Sequence, residues 1–452
     1  MADCMAEERP LTLEDLAGFL AKGSKPRSEF RIGAEHEKFV FRKGTNAPVA
    51  YDGPDGIHAL LAGLQRFGWK GYYEADKLIA LERGGASVTL EPGGQFELSG
   101  AAMGDVHAVA AETEQHLAES KEVGAELGLE FLALGFTPQW RRDQVPVMPK
   151  GRYGIMRNYM PKVGGLGLDM MFRTCTVQTN LDFSSEADMA LKFRVSMALQ
   201  PIATALFANS PFIEGKPSGL LSSRANVWTD TDPDRTGLLD FAFKDGFGFE
   251  IYANYLLDVP MYFVRRGGRY IDVAGRSFRD FMAGRLPELP GQCATIKDWA
   301  DHMTTAFPEV RLKQYLEMRG ADTGPLGRIL ALQALWVGVL YDDAALAAAA
   351  ELCKGWTSEE RLALRLSAVR QGLKGEVRGR PVQAIAQDMV AIARQGLAAR
   401  ARAGGGLADE TSYIDELAEI AETGMTPADR LLDLYNGPWA GDVSRAFEDC
   451  RY

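Results

Sequence analysis

Polar and apolar residues alternate along Arg31-Ile32-Gly33-Ala34-Glu35-His36-Glu37, which predicts a strand. Phe30, Ile32 and Ala34 fall on one side, and Arg31, Gly33, Glu35 and Glu37 on the other. Two carboxylates on one face of a strand stand about 6.5–7 Å apart. They repel unless a cation or water lies between them. His36 falls on the opposite side and suits a structural role better than a ligand.

The same alternation recurs in Ser87–Glu91 and Gln95–Ser99, joined by Pro92-Gly93-Gly94. That connection predicts a hairpin. Val88, Leu90, Phe96 and Leu98 then face a core, while Thr89, Glu91, Gln95 and Glu97 share the other face. Glu82 lies just upstream. Carboxylates gathered on one sheet face without lysine suit a hard divalent cation such as Mg²⁺. A solvated sheet face is the plainer alternative.

A capped helix is expected from Thr12, a helix over 104–127, and a strand over 131–136. The segment Met148–Lys162, rich in Gly, Pro and basic residues, reads as a loop. It is either a surface connection or a basic rim for an anion. Met170–Phe183 alternates as a strand, placing Gln178, Asn180 and Asp182 on one side. A helix over 187–209 is expected to break near Pro201. A long loop over 211–236 carries Lys216, Arg224, Trp228 and Arg235, and a strand follows at Met261–Val264. Beyond about residue 325 the pattern turns helical, and Thr426-Pro427-Ala428-Asp429 is a helix start. This division, sheet-rich over 12–325 and mostly helical over 326–452, predicts one α+β unit with a largely antiparallel sheet.

Composition is that of a globular chain, with 46% hydrophobic and 25% charged residues among 452. The net charge of −11 argues against a nucleic-acid partner. The N-terminal residues show no basic and apolar signal pattern, and no apolar run reaches bilayer length, so a cytoplasmic protein with no membrane partner is expected. Five scattered cysteines, Cys4, Cys175, Cys293, Cys353 and Cys450, contain no C-x-x-C, and none has an evident partner. P-loop, Rossmann, G-x-S-x-G and H-E-x-x-H motifs are all missing. Any ATP must then be held through metal carboxylates and arginines.

Glu35-His36-Glu37-Lys38, Leu90-Glu91-Pro92-Gly93-Gly94-Gln95-Phe96-Glu97-Leu98-Ser99, Met171-Phe172-Arg173-Thr174-Cys175-Thr176-Val177-Gln178 and Leu316-Glu317-Met318-Arg319-Gly320-Ala321-Asp322 follow in that order. Together they resemble the glutamate–cysteine ligases of the plant type, a form also found in many proteobacteria, from about residue 12 to the C-terminus. The resemblance implies a glutamine-synthetase-like fold, an antiparallel sheet forming a half-open funnel flanked by helices. It implies ATP-dependent joining of the γ-carboxylate of L-glutamate to the amine of L-cysteine, the first step of glutathione synthesis, with feedback inhibition by glutathione.

That chemistry needs an activated carboxylate. Transfer of the ATP γ-phosphate to it requires divalent cations, here two or three Mg²⁺, and side chains that neutralise charge. Glu35, Glu37, Glu91, Glu97 and Glu317 are the metal-ligand candidates, and Arg319 is the partner of a phosphate oxygen. The family match suggests that Arg152 and Arg224 bind the carboxylates of glutamate. Gln178 and Asn180 either touch substrate or satisfy a buried sheet edge. Tyr262 either lines the cysteine pocket or belongs to the core. Arg173 reads as a salt-bridging residue. A ligase with another acceptor amine and a catalytically silent nucleotide-binding regulator are the competing readings.

The resemblance also implies a difference. Plant enzymes of this type carry two regulatory disulfides, whose four positions align with Ala110, Leu330, Val273 and Glu288. Without sulfur there, redox insensitivity and a monomer, slightly favoured over a dimer, are expected.

Overall fold

The computed structural model describes residues 9–403 and 408–452. The N-terminal residues on which the leader reading rests, with Cys4, lie outside these. Nine strands form the main sheet. They are β1 (Ile32–Arg42), β2 (Lys70–Glu74), β3 (Lys77–Arg83), β4 (Ala86–Leu90), β5 (Phe96–Ser99), β6 (Leu129–Leu132), β7 (Thr176–Leu181), β8 (Val310–Leu312) and β9 (Leu316–Asp322). Their order is β8-β9-β7-β1-β5-β4-β3-β2, with β6 also paired to β1. Every pairing is antiparallel, and the sheet is open rather than closed into a barrel. The α+β class and the open antiparallel sheet flanked by helices are as the sequence predicts.

One face of the sheet is apolar because alternate positions are. Ile32, Ala34, Val177, Leu181, Leu316 and Met318 join a core with the buried faces of helices Glu186–Leu206, Leu326–Leu340 and Val382–Arg402. The predicted hairpin forms with Val88 opposite Leu98 and Leu90 opposite Phe96. Gly94 turns it at a φ of +82°, a region open to glycine. Strand β9 contains a bulge, since its register with β7 shifts between Met318 and Ala321. A Cβ on Gly320 inside that bulge would lie 2.6 Å from Gln200 Nε2 and 2.7 Å from Glu309 Oε2, so a larger residue there would displace these side chains.

Local chemistry explains the predicted helix ends. Thr12 with Asp15, and Thr426 with Asp429, form capping boxes. Several expectations are corrected. The segment Gly151–Tyr159 is a helix, not a loop, and its first N–H donates to Glu74 Oε1 at 2.7 Å across 77 residues. Residues Gly167–Arg173 are helical, so the strand begins only at Thr176. The helix Glu186–Leu206 runs through Pro201 without a break, because its last three turns are buried on all sides and packing outweighs the lost hydrogen bond. Arg224 sits on a short helix, Ser223–Val227, capped by Ser222 Oγ. The later strand lies at Phe263–Arg266.

Cys175, Cys353 and Cys450 are free, but Cys293 is disulfide-bonded, which corrects the reading that no cysteine has a partner. Among the described residues no single helix is long and apolar enough to cross a membrane. The helices Leu326–Leu340 and Asp343–Leu352 pass that test only as a pair bent by 93°.

Candidate active site

The polar face of the sheet carries the candidate residues, and the strand register brings them together. Glu37 lies opposite Glu97, Glu35 opposite Gln178, Glu317 opposite Asn180, and Arg311 opposite Glu317. A cavity of about 200 Å³ opens over this face. Glu35, Glu37, Glu91, Glu97, Gln178, Arg152, Arg224, Tyr262 and Arg319 all line it. Asn180 and Glu317 stand beside the lining. Glu82 is exposed on β3 and takes no part.

The carboxylates fall into two electrostatic groups. Burial and the charges of Glu317 and Glu97 push Glu35 up to about 7. Burial, then Glu97 and Glu91, push Glu37 well above the usual carboxylate range, and burial with Glu91 raises Glu97. Their hydrogen bonds hold geometry without supplying charge. Asn180 Nδ2 and Gln178 Nε2 donate to Glu35 at 2.7 and 3.1 Å. The Thr176 amide donates to Glu37 at 2.8 Å, and Thr89 Oγ1 to Glu97 at 2.7 Å.

Glu317 is different. It is fully buried, yet Arg311, Lys313 and Arg319 surround it and outweigh the desolvation, so its carboxyl is held well below the usual range. Arg311 bonds it with both Nη2 and Nε, at 2.7 and 3.0 Å, Lys313 approaches to 3.1 Å, and Arg319 contacts it directly. Its oxygens are therefore occupied by cations of the protein. Arg319 also donates to Gln178 Oε1 at 2.6 Å.

Arg224 is 3% exposed and lines the cavity. Its Nη2 donates to Thr176 Oγ1 at 2.9 Å and to the Arg319 carbonyl, while Nη1 has no hydrogen-bond acceptor among the described residues. Arg152 has a buried Nε without an acceptor as well. Each guanidinium thus keeps an N–H that a substrate carboxylate could engage. Arg173 binds Asp169 and Glu214 at 2.6 and 2.8 Å, the structural role expected. His36 is buried among core residues on the reverse face.

The sequence reading missed Arg311 and Phe307, and named Gln95 and Trp228 without assigning them a role, though all four line the cavity. Gln95 Nε2 donates to the carbonyls of Thr174 and Met171 at 2.9 and 3.2 Å, tying the hairpin to the segment before β7. Alternation in Val310-Arg311-Leu312 was the available signal for Arg311. No comparable pattern marks Trp228 or Phe307.

Among the described residues no group of three or more His, Cys, Asp or Glu stands ready-made around one metal position. The donor set still suits a hard cation. Glu35, Glu37 and Glu97 are oxygen donors raised first by burial and then by neighbouring carboxylates, and a divalent ion would offset both costs.

A family model described as glutamate–cysteine ligase family 2 matches residues 31–449. The chain is 54% identical over 451 residues to a chloroplastic glutamate–cysteine ligase of Solanum lycopersicum, covering 100% of this chain and 84% of the relative. It is 53% identical over 451 residues to the chloroplastic glutamate–cysteine ligase of Arabidopsis thaliana, covering 100% and 85%. The solved glutamate–cysteine ligase of Francisella tularensis, in complex with AMP, shares the fold, with a TM-score of 0.55, 12% identity, and coverage of 92% of this chain and 88% of that one. The cytoplasmic placement expected from the sequence does not stand, because these relatives, matched over the whole of this chain, are named chloroplastic. The chain belongs to glutamate–cysteine ligase family 2.

Proposed function

We propose that this enzyme joins the γ-carboxylate of L-glutamate to the amine of L-cysteine at the expense of ATP, through a γ-glutamyl phosphate. The observation that carries this reading is the pairing, in one cavity, of a repelling carboxylate group with Arg152, Arg224 and Arg319. Carboxylates suit metal-bound phosphates, and the arginines suit a carboxylate substrate and a transferring phosphoryl group.

A carboxylate and an amine at neutral pH form a salt, not an amide. Attack of the γ-carboxylate oxygen on the ATP γ-phosphorus breaks the bond to ADP and gives a mixed anhydride. The neutral amine then attacks the acyl carbon, phosphate leaves, and the amine loses its proton. Arg224 and Arg152 hold and orient glutamate. Arg319, braced by Glu317 and Gln178, faces the transferring phosphoryl group. Arg311 shares the Glu317 carboxylate and leaves this corner of the cavity net positive. Glu35, Glu37, Glu91 and Glu97 would hold two or three Mg²⁺, while Glu317 serves as the counter-ion that sets Arg319. Bound Mg²⁺ would neutralise phosphate charge. Feedback by glutathione, which shares the γ-glutamyl end of the product, and a monomeric state belong to the same reading.

ADP release measured with glutamate and each of several amines tests the proposal. Cysteine should give the highest kcat/KM. A better amine would replace the acceptor, and no release with any amine would remove the ligase reading altogether.

A further inference from the structure

Arg235 is not among the residues lining the cavity, yet two segments that contribute to its lining, 260–262 and 305–307, converge on it. It and Asp232 are both 0% exposed and form an ion pair at 2.5 Å. Arg235 Nη1 donates to the Thr305 carbonyl at 3.0 Å and Nη2 to the Pro260 carbonyl at 2.7 Å. Its guanidinium lies 3.9 Å from the centre of the Tyr262 ring. Its own carbonyl accepts from the Phe307 amide at 2.6 Å, where Thr236–Gly237 pairs with Phe307–Pro308. Tyr262, Thr305 and Phe307 all line the cavity.

A wholly buried ion pair is a poor source of stability, because desolvating both charges offsets their attraction. It does fix geometry, since a planar fork satisfies two carbonyls and an aromatic face only in one arrangement. Of the apolar lining of the cavity, which includes Met156, Tyr262, Phe263, Phe307 and Trp228, it holds Tyr262 and Phe307 directly. A small, weakly polar side chain fits against such a wall, and a carboxylate without a partner does not.

Building on the ligase reading, we infer that the Asp232–Arg235 pair is a positioning device that sets which acceptor amine the aromatic wall admits. Arg235 reaches the acceptor only through Tyr262, Thr305 and Phe307 and touches neither phosphate nor glutamate.

The test is Arg235→Lys, which keeps the charge beside Asp232 but loses the fork. KM for cysteine should rise about tenfold, and the preference for cysteine over 2-aminobutyrate, its thiol-free analogue, should change at least about fivefold. KM for glutamate and for ATP should stay within about twofold. Tyr262→Leu, which removes the ring but leaves the ion pair, should shift acceptor preference in the same sense and serves if Arg235→Lys does not fold. Equal changes in all three KM values, or a lower melting temperature with unchanged acceptor preference in both variants, would overturn the inference and leave the ligase reading in place. Wild-type protein inactive with every amine would overturn the ligase reading, and the inference with it.

Discussion

The carboxylate of Asp322 stands 3.7 Å from Nη1 of Arg224, with both side chains buried. Asp322 is held in turn by Ser210 Oγ at 2.6 Å, Ser222 Oγ at 2.7 Å and the Asn209 amide at 2.8 Å. Arg224 is therefore braced from behind by a carboxylate that is not free to move, and faces the cavity in front. Asp322→Asn keeps the shape, removes the counter-charge and sets an amide N–H against donors. Unfolding stability should fall by roughly 3 kcal/mol, as expected when one partner of a buried pair is removed. KM for glutamate should rise with KM for ATP little changed. Denaturant titration and steady-state kinetics measure the two effects, and an unchanged stability would show that the pair is uncoupled.

Arg224→Lys keeps the charge but loses the bidentate fork. KM for glutamate should rise about tenfold or more, while KM for ATP holds. Equal effects on both substrates would assign Arg224 to the scaffold.

Glu37→Gln removes a charge from the repelling group without changing its size. Turnover should fall almost to zero at saturating Mg²⁺. The metal-free protein should melt at a higher temperature than wild type, because a buried charge facing Glu97 and Glu91 is gone. The thermal shift on adding Mg²⁺ with a nucleotide should shrink. Normal activity in this variant would take Glu37 out of the site.

His302 is buried, stacks on Phe278 at 4.7 Å, and its Nε2 donates to the Leu256 carbonyl at 2.8 Å. Burial lowers its value from the ordinary 6.5 to about 4. The unfolded chain thus binds the proton more readily than the folded one between these values. The stability that the neutral ring contributes is complete above about pH 6.5 and is lost as the pH falls towards 4, by a few kcal/mol in all. Equilibrium unfolding at pH 7 and pH 5 should show this loss, and His302→Gln should flatten it. An equally steep decline in that variant would place the acid sensitivity elsewhere.

Much of the sheet was legible because its signals are local. Alternation around Glu35 and Glu37, and the Pro92-Gly93-Gly94 turn, are properties of a few adjacent residues. The Thr426–Asp429 capping box is equally local. What stayed hidden depends on distant partners. The helix bearing Arg152 has glycines at two positions and no side-chain cap of its own, and its first amide is satisfied by Glu74 on another strand. Arg311 gains its place only when β8 pairs with β9. Glu82 lies near the acidic group in sequence but points to solvent.

The bulge at Gly320 carries one more consequence. Strict alternation through β9 would set Glu317 and Arg319 on one side and Asp322 on the other. The core instead takes Leu316, Met318 and then Ala321, so Glu317, Arg319 and Asp322 come to the same side at intervals of two and three. Strand length therefore works as a phase setting, independent of composition. Were Gly320 drawn into the regular ladder instead of bulging, every charged residue of the segment would remain, yet Asp322 would rotate into the apolar layer and leave Arg224 without its brace, while Glu317 and Arg319 kept their places. A substrate clamp could be lost here by counting, with no functional side chain altered.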